Sequence, residues 1–233
     1  MTTTDVAMHM SDGIVNAPTS LIFGVISVLF VGLAAVRARA DLDDRTAPMA
    51  GLVTTFVFAV QMINFPILPG ASGHLLGGAL VAILVGPWVG TLCITIVLVV
   101  QALLFADGGL TALGTNVFNM AIIGVVVGWA VARAMRGLAR RSRGGLLATA
   151  FVAAFVNTVV ASLGFVLEYA IGGAAGATTG TAVVLMVGFH ALIGIGEGVI
   201  TAATVRAVAA VRPDLGHLLR TAPRVARGEG TQA

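Results

Sequence analysis

The stretch LLATAFVAAFVNTVVASLGFVLEYAI, residues 146–171, holds one charged side chain, Glu168. A helix needs about 20 apolar residues to cross the hydrocarbon of a bilayer, so this stretch reads as a membrane span. The next run, TAVVLMVGFHALIGIGEGVITAATVRAVAAV at residues 181–211, reads the same way. Working outward, five more candidates occupy residues 18–36, 48–63, 75–85, 88–105 and 116–135. Residues 75–85 are too few to span comfortably and end at Gly86-Pro87. They read either as a half-helix or as one limb of a kinked span continued by 88–105. The runs are long and do not alternate with polar residues, which argues against a transmembrane barrel. The expected fold is an all-α integral membrane protein, a bundle of six to seven transmembrane helices, one of them short.

Composition agrees. Of 233 residues, 58% are hydrophobic and 10% charged, against about 25% charged in soluble globular chains. Mean hydropathy is +1.03. Intrinsic disorder and a secreted disulfide scaffold are excluded; Cys93 is the sole cysteine and reads as packing. The isoelectric point of about 10.4 comes with a net charge of only +3, so no nucleic-acid partner is expected. Every basic residue is an arginine, in three groups: Arg37, Arg39 and Arg45; Arg133, Arg136, Arg140, Arg141 and Arg143; and Arg206, Arg212, Arg220, Arg224 and Arg227. Seven crossings put all three on one side, which the positive-inside rule makes the cytoplasm. The N-terminus and the loops 64–74, 107–115 and 172–180 then face outward, in a multi-pass protein of the cell membrane with a cytoplasmic C-terminus. The N-terminus lacks the pattern of a standard signal peptide. Pro18 and Pro48 fall in first helical turns, after candidate caps Asn16 and Thr46. The 30 glycines allow close helix packing.

Four histidines are candidates for chemistry. His217 reads as a solvated tail residue. His190 and Glu197, seven residues apart in the last span, point to one helix face. Ionisable groups at membrane depth usually face a bundle interior, and the pair reads as structural or as a relay or partner contact. His9 and His74 share the outer side although 65 positions separate them. Imidazole is the usual ligand for Ni, Co, Cu and Zn, but two histidines alone specify no metal.

The residues around these histidines follow a pattern. Met8-His9-Met10-Ser11-Asp12-Gly13 opens it. Ser72-Gly73-His74 and Gly86-Pro87-Trp88 follow, then Gln101-Ala102-Leu103-Leu104-Phe105-Ala106-Asp107-Gly108-Gly109-Leu110, and last Leu113-Gly114-Thr115-Asn116-Val117-Phe118-Asn119-Met120. In order and spacing, from Met8 to about Val211, the chain resembles the CbiM/NikM family, the substrate-binding (S) components of energy-coupling factor (ECF) transporters for cobalt and nickel. The resemblance implies a metal held by the Met8 amine, the amide nitrogen and imidazole of His9, and the imidazole of His74. An amine, the next amide and that residue's own Nδ1 close five- and six-membered chelate rings, leaving one corner of a square for His74. Such a set favours Ni(II) or Cu(II), admits Co(II), and disfavours Mg and Ca. Asp12 is expected to hold the N-terminal segment as a hydrogen-bond acceptor. Ser72, Asp107 and Asn116 belong to loops expected to cover the metal.

Seven residues precede Met8, so its nitrogen is a peptide amide while they remain. Residues 1–7 therefore read as an extension absent from the functional form, 8–211 as the transmembrane metal-binding domain, and 212–233 as a cytoplasmic arginine-rich tail. The chain has no lysine and hence no Walker A motif. The resemblance implies that ATP is used only by partner ATPase subunits, alongside a transmembrane T subunit and a small accessory membrane subunit. No permanent cofactor and no enzymatic activity are expected; Ni2+ or Co2+ is cargo, supplied for nickel enzymes or for cobalamin synthesis. The competing reading is an intramembrane serine protease using Ser72 and His190, on the strength of Gly70-Ala71-Ser72-Gly73. In the favoured reading Ser72 instead caps a short helix beginning near His74.

Overall fold

The structure, a computed structural model, describes residues 9–212 and 216–219. Met8, residues 1–7, and the arginines at 220, 224 and 227 lie outside the described residues. The chain runs through α1 (Ala17–Ala38), α2 (Thr46–Gln61), a hairpin of β1 (Asn64–Leu68) and β2 (Ala71–His74), α3 (Gly78–Val85) and α4 (Pro87–Leu104). It continues through α5 (Leu113–Asn116), a π-helical stretch (Val117–Gly124), α6 (Val125–Ala134), α7 (Arg136–Arg141), α8 (Arg143–Gly172) and α9 (Thr179–Val211), and ends in a 3-10 turn (His217–Leu219). Among the described residues, five helical stretches are long and apolar enough to cross a membrane: α1, α4, α5 through α6, α8 and α9; α2 is shorter. The fold is thus a multi-pass α-helical bundle.

Local chemistry sets the helix starts. Asn16 Oδ1 accepts the Thr19 N–H at 3.0 Å, with Pro18 in the first turn. Ser142 and Thr178 cap α8 and α9 in the same way. For α2 the expected cap, Thr46, is already helical, and Asp43 Oδ1 accepts the Thr46 N–H at 2.6 Å instead.

The short third helix is a buried half-helix. All eight residues of α3 are buried, which explains why its sequence is apolar on every face. The chain reverses at Gly86, whose φ of 89° is left-handed. A Cβ on Gly90 would stand 2.9 Å from Val81 Cγ2. In one continuous helix those residues would lie about 13 Å apart, so α3 and α4 fold back on each other. This excludes the kinked-span alternative. The helix also begins at Gly78 rather than Leu75, because residues 64–74 form an antiparallel hairpin, pairing Asn64 with His74 and Pro66 with Ser72. Ser72 therefore sits in β2 and caps nothing; the residue before α3 is Gly77, at φ 79°.

The described arginines of the three groups share one end of the bundle. The Arg37 guanidinium lies 5.8 Å from the Trp88 ring at the start of α4. The α7 helix packs near the 217–219 turn that follows α9. His217 is not a solvated tail residue: its ring meets Trp129 edge-on at 5.4 Å and lies against Gly86, and Leu218 is fully buried. Packing thus continues past Val211, where the tail was expected to begin.

Small residues set the helix spacing. A Cβ on Gly128 of α6 would stand 2.7 Å from Ala79 Cα of α3. Replacing Gly128 with leucine is expected to destabilise the bundle by about 1–3 kcal/mol, the usual cost of overpacking. Gly188→Ala, with open space around the new methyl, is expected to be neutral or slightly stabilising. Thermal unfolding of both variants in detergent checks this.

Candidate metal site

The segment before α1 is clamped into the loops between helices, and its backbone does most of the work. Asn116 Oδ1 accepts the Met10 N–H at 3.1 Å while its Nδ2 donates to Met10 O at 3.1 Å, so one amide side chain pairs with both backbone groups of a residue as a neighbouring strand would. Gly109 N–H also donates to Met10 O, and Ser11 N–H donates to Gly70 O, both at 3.0 Å. Farther along, Asn16 N–H donates to Gly172 O at 2.7 Å and Ala174 N–H to Ile14 O at 2.9 Å. Asp12 Oδ1 accepts from both the N–H and the hydroxyl of Thr111. The loops around residues 70, 109 and 173 thus close on residues 9–16.

His74 arrives from the other side. The β1–β2 hairpin turns at Gly70, and all four residues of β2 are buried. His74 Nδ1–H donates to Leu75 O at 2.9 Å; a carbonyl only accepts, so the lone pair sits on Nε2. The junction behind it is held by Glu197 on α9. Its Oε2 accepts the Leu76 N–H at 2.7 Å and its Oε1 the Gly77 N–H at 3.0 Å. Thr158 hydroxyl and Gln61 Nε2 complete the anchor, donating to Glu197 Oε2 and Leu76 O at 2.8 Å each.

The two histidines meet. Their rings stack with centroids 4.4 Å apart and planes at 25°. Both are almost wholly buried. His9 Nδ1 lies 3.2 Å from Asp107 Oδ1, while His9 Nε2 is buried without a partner. Burial first, then the neighbouring His9, push the His74 imidazole well below its ordinary value. His74 is therefore neutral at pH 7, the form that can ligate a metal. A cavity of about 40 Å³ lies against the stacked rings, lined also by Ser72, Asn116, Asn119 and His190.

The structure brings His9, His74, Ser72, Asp107 and Asn116 to this one place. Asp12 stands at the rim, and Met8 lies outside the described residues. Among the described residues, no three of His, Cys, Asp and Glu already form a ready coordination group. His190 and Glu197 share a buried helix face but serve different ends: His190 lines the cavity, and Glu197 supports the turn into α3. Asn119 was not singled out from sequence; it lines the cavity and donates from Nδ2 to Glu168 at 2.7 Å. Its signal in the sequence was an amide side chain in an apolar run; in the structure it falls within the π-helical stretch, a distortion that often marks functional positions. Nothing supports the protease reading. Ser72 Oγ makes no hydrogen bond to any described residue, and the His190 Nδ1 is committed to Met186 O.

The chain belongs to the family described as cobalt uptake substrate-specific transmembrane region, CbiM, which matches residues 9–215. It is similar to the cobalt transport protein CbiM of Sorangium cellulosum, 32% identical over 216 residues, covering 89% of this chain and 94% of that one. A protein of Archaeoglobus fulgidus, assigned as a fused nickel transport protein NikMN, is 39% identical over 208 residues, covering 89% and 68%. A crystal structure of a truncated transition metal transporter superposes with a TM-score of 0.80 at 28% identity, covering 87% of this chain and 98% of that one.

Two expectations follow from this geometry. Glu197→Ala leaves the Leu76 and Gly77 N–H groups buried without acceptors, at about 1–3 kcal/mol each. It is expected to lower thermal stability and metal affinity together, and Glu197→Gln, which keeps one carbonyl oxygen, to do so less; unfolding and titration of both variants test this. The Thr111 hydrogen bonds hold the Asp12 carboxyl below its ordinary value, against some desolvation. A depressed folded-state pKa means that the tie is intact above the usual carboxylate range and is lost as pH falls through the lower folded value. Amide exchange at Thr111 should therefore stay protected through the ordinary carboxylate titration range and open only below it. Asp12→Asn should remove that pH dependence.

Proposed function

We propose that this chain is the metal-capturing S component of an ECF-type importer, taking Ni2+ or Co2+ from outside the cell and binding it at His9 and His74. The observation that carries the reading is the stacked, buried pair of imidazoles at a small cavity beneath closing loops, in a chain of the cobalt uptake family. Neutral nitrogen donors suit Ni(II) and Co(II) and exclude Mg and Ca, which take oxygen ligands. The Met8 amine and the His9 amide complete the ligand set implied by the resemblance. That set uses His9 Nδ1, so loading through it requires the ring to exchange Asp107 for the metal.

The arginine-rich end faces the cytoplasm by the positive-inside rule, and the cavity end faces outward. ATP is used by partner ATPase subunits, and the exposed apolar flanks of the bundle meet the T subunit, an accessory membrane subunit and lipid. The chain itself catalyses nothing. In this scheme the 9–16 segment and its three loops are the outer cover over the cargo, and release inward requires them to part or the bundle to reorient.

Metal titration of purified variants tests the site. His9→Ala and His74→Ala are each expected to lose more than the roughly 10–100-fold in affinity that removal of an outer partner costs. His217→Ala, beside Trp129 at the opposite end, is expected to retain affinity. Full affinity for nickel and cobalt in His74→Ala overturns the assignment. Metal uptake by cells carrying the chain with its T and ATPase partners, and its loss when the ATPase is inactivated, tests the transport role.

A further inference from the structure

Two carboxyls are buried on the neighbouring helices α8 and α9, and their surroundings differ. Glu197 of α9 accepts from four donors: the Leu76 and Gly77 N–H groups, the Thr158 hydroxyl and, at 3.4 Å, Asn157 Nδ2. That is a full set for a carboxylate, which has acceptor sites only. Glu168 of α8 has a single donor. Asn119 Nδ2 reaches its Oε2 at 2.7 Å, and its Oε1 is buried without a partner among the described residues. The side chain has no exposed surface, and no ion pair to it is present among the described residues. A lone charge so placed is costly, whereas a carboxyl that keeps its proton is not.

Glu168 is nevertheless joined to the metal cavity. It stands one turn along α8 from Phe165, and both Phe165 and Asn119 line the cavity beside His9 and His74. Asn119 lies against Gly164 of the same helix, where a Cβ would collide with its Oδ1. Asn119 therefore touches the cavity and the carboxyl at once. Its Oδ1, like Glu168 Oε1, has no donor among the described residues, and a proton on Glu168 gives this buried pair a donor it otherwise lacks. Few other charges stand nearby. Of the elements packed on α8, α3 and the π-helical stretch carry no titratable side chain, and α1, α6 and α7 carry only arginines, at the opposite end. From α9 come His190, on the cavity with its Nδ1 on Met186 O, and Glu197, besides Arg206 at the arginine end. The 9–16 segment brings His9, beside Asp107, and Asp12, tied to Thr111. The Tyr169 hydroxyl is bonded to Ala177.

We propose that Glu168 is a proton site linked to the cargo: it carries a proton in the empty chain and gives it up when the divalent ion enters the cavity. The proposal rests on the reading of His9 and His74 as the metal site and leaves that ligand set unchanged. The Glu168 O–H bond breaks, the proton passes to solvent, and the carboxylate stays as a counter-charge; nothing is oxidised or reduced. The physical reason is the low dielectric of the bundle. A negative charge that was costly beside an empty cavity becomes favourable once two positive charges occupy it. Asn119 Nδ2 donates to the carboxyl in either state, so no rearrangement is needed. A glutamine would satisfy Asn119 equally well but could not ionise. The linkage is reciprocal: the ion expels the proton, and a proton returning to Glu168 loosens the ion. Capture then strengthens as pH rises, and reprotonation favours release.

The test is calorimetric titration of the purified full chain with Ni(II) and Co(II) in buffers of different ionisation heat, which counts the protons released per ion. The native chain is expected to release about one more than Glu168→Gln, which keeps the shape of the neutral carboxyl. Native affinity should accordingly rise with pH more steeply than that of the variant, by up to about tenfold per pH unit. Infrared difference spectra of the native chain, loaded minus empty, should show the loss of a protonated-carboxyl band that is missing from Glu168→Gln. Equal proton counts in native and variant, or native protonated-carboxyl bands unmoved by loading, overturn the role of Glu168 and leave the two-histidine site standing. A native chain that binds neither metal overturns the site reading and this inference with it. The native infrared measurement depends on no variant, so a misfolded substitution does not rescue the proposal.

Discussion

A peptide unit that is neither helical nor wet must find a partner inside the protein. Within an apolar bundle that constraint is severe, because an unsatisfied N–H or C=O costs several kcal/mol. Residues 9–16 and 64–77 are the non-helical backbone on which this structure turns, and their hydrogen bonds account for its polar side chains. Asn116 exists to satisfy both sides of Met10. Glu197, two turns beyond His190 on α9, satisfies Leu76 and Gly77, and Gln61 satisfies Leu76 O. Polar groups that look out of place in apolar sequence are the means by which irregular backbone is carried into the bundle.

The site follows from that anchoring. His9 and His74 sit on the two irregular segments, so their rings are placed by backbone hydrogen bonds made by other residues. The half-helix α3 lets β2 descend between longer helices, and Gly86 sends the chain back up as α4 toward Asp107. Burial keeps His74 neutral and ready to donate a lone pair, and the small cavity against the rings suits an ion rather than an organic ligand. The loops over the site are held by more than hydrogen bonds: Met10, Ile14 and Val15 form an apolar cluster with Ala71, Phe165, Tyr169 and Met186.

Much of the candidate site was legible because its two histidines lie in conspicuous local patterns. Met8-His9 and Ser72-Gly73-His74 are polar islands in an apolar chain, and arginine grouping alone put both histidines on one side of the bundle. Asp107 and Asn116 were readable as parts of loops on that side. Their actual tasks, one holding His9 Nδ1 and the other holding Met10, were not, because a loop's sequence does not say which distant backbone it will meet. Ser72 misled for the same reason: it has the chemistry of a helix cap, but the hairpin that pairs it with Pro66 is set by contacts across the chain.

The sequence by itself determined the class of the protein, its spans to within a few residues, the shared end of its arginines and the two principal histidines. Those are consequences of local composition: length of an apolar run, position of charge, and residue type. Tertiary structure alone decided that α3 folds back on α4, that Glu197 supports the turn into α3, that His217 packs against Trp129, and that His190 joins His9 and His74 at one cavity. The physical reason is periodicity. A helix pattern tells which residues share a face, as His190 and Glu197 do, but helices hydrophobic on nearly every side do not reveal which neighbour that face will meet.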